Sequence, residues 1–369
     1  MLVSLSNKVF TRLETDNALI EEAESTINYA LVNHNGIKKR YVKVPLTGGG
    51  GNAKVRKSYW GALKMLQYEV SFKGDTIKEA LFIEDEVSDS TVLFLSRNDK
   101  HFFLGGKSII EGDVKVPFKE IANLNLSGYE GSFIHKRGNI KEAINELPTP
   151  REFHTKENTV NISEERIYNE KINSFFSKTK KTRFSANTVE NLNLSGNYII
   201  ESENKILLKN NNKLNDVIVI GATVELEEGF KGAIQIYATE KIIINKNVEL
   251  QYPSVVYLEG SNKDVEIKIG KGSEISGLIV GVSDRKEDSK VIVLENSSIY
   301  GDLYCSGEVE FKGEMYGGMY VREFYLKTEE SEYQNALLDF KLFKLPKFFY
   351  RINAIGVNDS LCEVIKKVR

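Results

Sequence analysis

The stretches Glu274-Ile275-Ser276-Gly277, Ser298-Ile299-Tyr300-Gly301 and Glu314-Met315-Tyr316-Gly317 decide the fold. Each places an apolar residue two positions before a glycine, and the glycines lie 24 and 16 residues apart. Around them, from about 191 to 327, short β-branched runs recur every 8–12 residues between Gly, Asn, Lys and Ser, with no helical period. A β-solenoid coil needs one inward apolar residue per short strand. It also needs a small residue, or positive φ, where the chain turns a corner. A repeat whose length varies by loop insertion therefore predicts a parallel β-helix over 191–327 rather than a sandwich. Phe230-Lys231-Gly232 fits the same step earlier in the chain.

A related phrase lies outside this region. Ser108-Ile109-Ile110-Glu111-Gly112-Asp113-Val114 matches Ser297-Ser298-Ile299-Tyr300-Gly301-Asp302-Leu303 in order and type. Residues from about 91 to 135 are thus candidates for further coils of the same solenoid, reached after a long excursion. A common Gly-Asp turn is the plainer alternative. The rest of 37–150 reads as strands in an α/β accessory region. Its Gly48-Gly49-Gly50-Gly51 run reads as a mobile loop, because no Gly-Lys-Ser/Thr follows to make a phosphate loop. Residues 151–190 read as a polar linker with a short Lys-rich helix over 164–182. Residues 1–36 read as one amphipathic stalk helix ending at Asn33-His34-Asn35-Gly36, with packing on its own domain and continuation of an upstream membrane helix as the alternatives. Residues 328–369 carry aromatics outside the repeat and read as a cap or a docking tail, since the last coil of a solenoid exposes an apolar end.

Composition narrows the function. The 369 residues hold 50 Lys plus Arg against 52 Asp plus Glu, a net charge of −2, which offers no nucleic-acid footprint. No apolar run is long enough for a transmembrane helix. Two cysteines exclude a disulfide scaffold and a thiolate zinc cluster. The histidines are His34, His101, His135 and His154, so the C-terminal half holds none, and His chemistry is not expected there. Ile220-Gly221-Ala222-Thr223-Val224 and Ile269-Gly270-Lys271-Gly272-Ser273 look like hexapeptides of left-handed β-helix acyltransferases, but those enzymes need a His base on the solenoid. Asp284, Glu287 and Asp288 could pair as in a β-helix lyase or hydrolase, but Arg285 and Lys286 sit among them and mark a solvated loop. Asp216, Glu225, Glu227 and Glu228 read as the solvent side of strands and turns. Trp60 beside Tyr59 reads as a core or rim aromatic, and Cys305 and Cys362 as buried thiols rather than a disulfide.

Two resemblances follow from these phrases. Residues 299–303 and 307–317 are locally similar to bactofilins, polymer-forming β-helix proteins. A broader resemblance, spread over Tyr59-Trp60-Gly61, Asp75-Thr76-Ile77-Lys78, residues 108–117, Leu147-Pro148, residues 232–238 and residues 252–258, is to a family of Bacteroidota envelope proteins. That resemblance implies a short membrane anchor followed by a large extracytoplasmic β-rich domain. It places the anchor upstream of Met1 and assigns no catalytic residues. A helix before a β-rich head is also the layout of pilins and pseudopilins, although no pilin cleavage motif is visible.

The expectation is a non-enzymatic structural or assembly component of a cell-envelope complex, without cofactor, metal or small-molecule substrate. It would face the periplasm, anchored to the inner membrane. The other envelope-complex proteins would dock on the helix stripe Leu5, Val9, Leu13 and Ile20, or on the tail aromatics Phe343, Phe348, Phe349 and Tyr350. The alternatives are a cytoplasmic bactofilin-like scaffold and a carbohydrate-binding or carbohydrate-cleaving β-helix.

Overall fold

A computed structural model describes every residue except 1, 47–50, 87–90, 98, 130, 156–158, 262–264, 286–287, 357–361 and 369, with the backbone alone for 2–11. The fold is mainly β, with a solenoid of about 11 turns and an N-terminal helix, as the repeat predicts. The chain divides into two compact units, Met1–Glu86 with Asn358–Arg369, and Val87–Val357.

In the first unit, helix α1 (Leu2–Val32) lies on an antiparallel sheet. Leu19, Ala23, Thr26 and Ala30 recur at steps of four, three and four and are buried against the sheet. Three of the four are small, which lets the helix approach closely. The helix stops where Asn33 turns its amide back to the Tyr29 carbonyl and Gly36 N–H donates to the Asn33 carbonyl. Strands β1 (Val42–Val44), β2 (Gly51–Trp60), β3 (Leu63–Phe72) and β4 (Asp75–Asp85) follow as an antiparallel meander. Lys73 and Gly74, both at positive φ, make the two-residue turn between β3 and β4. Gly51, expected in a loop, opens β2, while Gly48–Gly50 lie outside the described residues.

A fifth strand, Cys362–Val368, pairs antiparallel with β4. The end of the chain is therefore not a solenoid cap. The free edge of β4 would present a row of unpaired backbone groups, and this strand satisfies them.

The second unit is the solenoid. Its stacked strands pair parallel, with an antiparallel hairpin where Glu332–Gln334 turns back on Glu314–Lys327, and each turn adds a residue to stacked columns. One column runs Ile200, Val219, Ile236, Val256, Ile279, Leu303 and Met319. It then continues, against sequence order, through Leu93, Val114 and Ile140. So the phrase at 108–114 does belong to the stack. Residues 91–142 form the turns beyond residue 319, and the chain then crosses to the opposite end and runs back from strand Thr159–Asn161. The segment expected as a linker is accordingly mostly solenoid. Its helix is only Glu164–Ile167, followed by strands Ile172–Asn173, Thr179–Arg183 and Thr188–Val189.

The repeat glycines align as neighbours in one column, Gly277 beside Gly301 beside Gly317. Gly301 has φ +143°, and a Cβ there would drive into the Gly277 carbonyl oxygen. Gly317 stands in the same relation to Gly301. Gly232 does not share this column. It aligns with Leu250 and hence with the inward Ile275, and the buried Phe230 ring fills the space beside it.

Candidate functional site

The tail closes on the flank of the solenoid through a buried ion pair. Asp302, fully buried, accepts from Arg351 Nε at 2.6 Å, from Gly318 N–H at 3.1 Å and from Ala354 N–H at 3.0 Å. Both carboxylate oxygens thus have a donor, which is the condition for a buried charge to be tolerated.

Two aromatic columns arise because register stacks like side chains on successive turns. In the first, Tyr237 aligns with Tyr257, and Tyr304 aligns with Tyr320 and then Phe94. The molecule covers this column with its own chain. Phe153 lies 5.0 Å from Tyr237 and 5.5 Å from Tyr257 between ring centroids, and the hydroxyls of Tyr257 and Tyr304 donate to the Arg151 and Pro148 carbonyls. Burial pushes the Tyr237 hydroxyl up to about 12, helped by the Glu259 carboxylate.

The second column is Tyr300, Tyr316 and Phe343, with Tyr300 and Tyr316 parallel at 4.8 Å. Phe349 stacks on Tyr300 at 5.4 Å, and Phe348 lies 5.0 Å from Phe349. Phe343 and Phe349 are half-buried in this array, whereas Phe348 is 80% exposed and Tyr350 45% exposed. The four tail residues therefore split into two that seal the column and two that present apolar surface. Burial and the hydrogen bond to Glu314 hold the Tyr316 hydroxyl up at about 12.

On α1, Leu13 is 53% and Ile20 49% exposed, off the face that Leu19 and Ala23 bury. The side chains of Leu5 and Val9 lie outside the described residues. The expected stripe is thus not the face the helix packs on its own sheet, at Leu13 and Ile20 at least.

The acidic residues read as the solvent side of strands and turns take structural places. Glu225 pairs with Lys205 and Glu227 with Lys209 across neighbouring turns. Asp216, expected on the solvent side, is buried at positive φ. Glu287 and Lys286 lie outside the described residues. A cavity of about 800 Å³ opens beside Pro148, Pro150 and Tyr304, with Arg97 on its wall. Arg97 is held by Asp99 and Glu323, and its hydrogen bond keeps Asp99 below the usual carboxylate range.

No family model and no curated protein matches the chain. Among solved structures it matches the competence-associated pilin ComZ from Thermus thermophilus at 8% identity, over 89% of this chain and 86% of that one, with a TM-score of 0.23. A likeness at that score carries no argument.

Both cysteines are free and buried, Cys305 in the solenoid and Cys362 in the other unit. Burial raises both thiols, Cys305 to about 11 and Cys362 to about 12. One cluster escaped sequence reasoning. His34, Asp85 and Cys362 converge in the first unit. A histidine of the first forty residues meets a cysteine of the last ten because the terminal strand joins the N-terminal sheet. The sequence carried no clean pairing signal, since Cys362-Glu363-Val364-Ile365-Lys366-Lys367-Val368 does not alternate and the strand shifts register between Val364 and Lys366.

Proposed function

We propose that this chain is a non-enzymatic structural or assembly component of a cell-envelope complex, and that it presents apolar side chains to protein partners from a stiff scaffold. The observation that carries the reading is the aromatic column Tyr300–Tyr316–Phe343, continued by tail residues of which Phe348 and Tyr350 remain open to solvent. The neighbouring column in the same molecule is covered by an extended segment bearing an aromatic, Phe153, and the open array has the same chemistry. A partner segment with an aromatic or long aliphatic residue suits it. Tyr300, Tyr316 and Phe343 lie on hydrogen-bonded stacked strands, so that part of the array costs little order to bind. The exposed Leu13 and Ile20 are a second docking surface. Among the described residues no helix is long and apolar enough to cross a membrane. Periplasmic placement and membrane anchoring are proposed on the Bacteroidota family resemblance.

The test is co-purification from the native envelope of Phe348→Asp/Tyr350→Asp and of Leu13→Asp/Ile20→Asp, beside a thermal melt of each. Because these side chains are exposed, both variants should melt like the parent, and at least one should lose partners. Burying one such side chain at an interface is worth about 1.5–3 kcal/mol. Normal melting with every partner retained would defeat the reading.

A second reading has an observation of its own. Ile134 and Ile144 at one end of the solenoid, and Val160 and Ile172 at the other, are exposed beside strands that pair on one side only. End-to-end addition of copies would bury them, as in a bactofilin-like scaffold. Concentration-dependent filaments of the purified chain, abolished by Ile134→Lys, would favour it.

A further inference from the structure

The first unit brings three unlike metal-binding groups together from separate elements. His34 sits in the turn that ends α1, Asp85 ends β4, and Cys362 opens the terminal strand as the register partner of Asp85. One ligand atom from each, an imidazole nitrogen, a carboxylate oxygen and the thiol sulfur, lies within 4.8 Å of the other two. All three side chains are more than nine-tenths buried. Ligand atoms around a tetrahedral Zn²⁺ stand roughly 3.3–3.8 Å apart, given bonds of about 2.0–2.3 Å. Small rotations of the three side chains therefore close the site.

We propose that His34, Asp85 and Cys362 bind one divalent ion of the Zn²⁺ class. A sulfur, nitrogen and oxygen set suits Zn²⁺ and its borderline neighbours, whereas Mg²⁺ and Ca²⁺ take oxygen ligands. As the metal–sulfur bond forms, the Cys362 proton leaves to solvent, and no other bond changes. Thiolate and carboxylate then balance the dication. Lys64 forms an ion pair with Oδ2 of Asp85, while Oδ1 faces His34 Nδ1 at 3.6 Å. That is the arrangement of a monodentate carboxylate oriented by an outer partner. Lys57 is the other cation close by. The ion would clamp the end of α1, the edge of β4 and the terminal strand, and this goes beyond the docking role.

The experiment uses the full chain after chelator treatment, titrated with Co²⁺ and then Zn²⁺. A single equivalent of Co²⁺ should give a thiolate-to-metal charge-transfer band in the near ultraviolet, and Zn²⁺ should abolish it. The band should persist in Cys305→Ala and vanish in Cys362→Ala. His34→Gln should weaken binding by roughly tenfold or more. A thermal melt of each apo variant checks folding, and if Cys362→Ala does not fold, the Cys305→Ala and His34→Gln results decide. No band in the parent chain, a band lost in Cys305→Ala, a band kept in Cys362→Ala, or parental affinity in His34→Gln would each overturn the site.

Discussion

Gly301 shows how far one atom can decide a fold. Its backbone sits at φ +143° with the neighbouring turn's carbonyl where a methyl would go. Gly301→Ala must therefore both strain φ and force two turns apart, and should cost about 3 kcal/mol or more. A denaturant melt with an unchanged midpoint would contradict the alignment of Gly301 with Gly277. Asp302, the next residue, makes the complementary case. Asp302→Ala strips Arg351 of its buried counter-charge and leaves the Gly318 and Ala354 N–H groups without their acceptor, at about 3–5 kcal/mol. Adding Arg351→Met should return part of that loss. A double-mutant cycle reads the coupling, and strict additivity would mean that the pair does not hold the tail. The glycine was legible in the sequence because its spacing repeats. The aspartate was not, because its partner lies 49 residues away in a segment without periodicity.

At the scale of elements, the solenoid surface is laced by lysine–glutamate pairs within and between adjacent turns. Hydrogen bonds from Lys231, Lys341 and Lys180 hold Glu249, Glu314 and Glu170 below the usual carboxylate range. These pairs add stability fully above the unfolded-state value near 4.5, and they lose it as pH falls through the lower native values. The melting temperature should thus be flat from neutral pH to about 5 and decline below about 4.5, modestly per pair, since most are solvent-screened. A melt that is unchanged at pH 3 would contradict this. For α1, Leu19→Asp or Ala23→Asp should lower the melting temperature, whereas Leu13→Asp should not. The helix was legible from its apolar period. Which apolar residues face inward was not, because a 31-residue helix with apolar side chains on more than one face does not reveal where its sheet lies.

At the scale of the molecule, the boundary expected at 191 is cut through a continuous stack. A fragment of 191–327 would expose Leu194 and Ile200 at one end and Met319 and Val321 at the other, all buried in the chain. It should aggregate or fail to fold, whereas 87–357 should give a cooperative melt. A well-folded monomer of 191–327 would contradict the stacking order. Local phrases betrayed the solenoid, because each turn repeats the same packing problem. The order of the turns stayed hidden, since it depends on which open edge another segment reaches first. That order has a cost during synthesis. Leu93 leaves the ribosome 226 residues before Met319, the residue it lies against. At about 5–20 residues per second, the early turns wait roughly 11–45 s for the surface that completes them. Throughout that time the edge that will meet Met319 stays bare, a liability the chain carries until its last turns emerge.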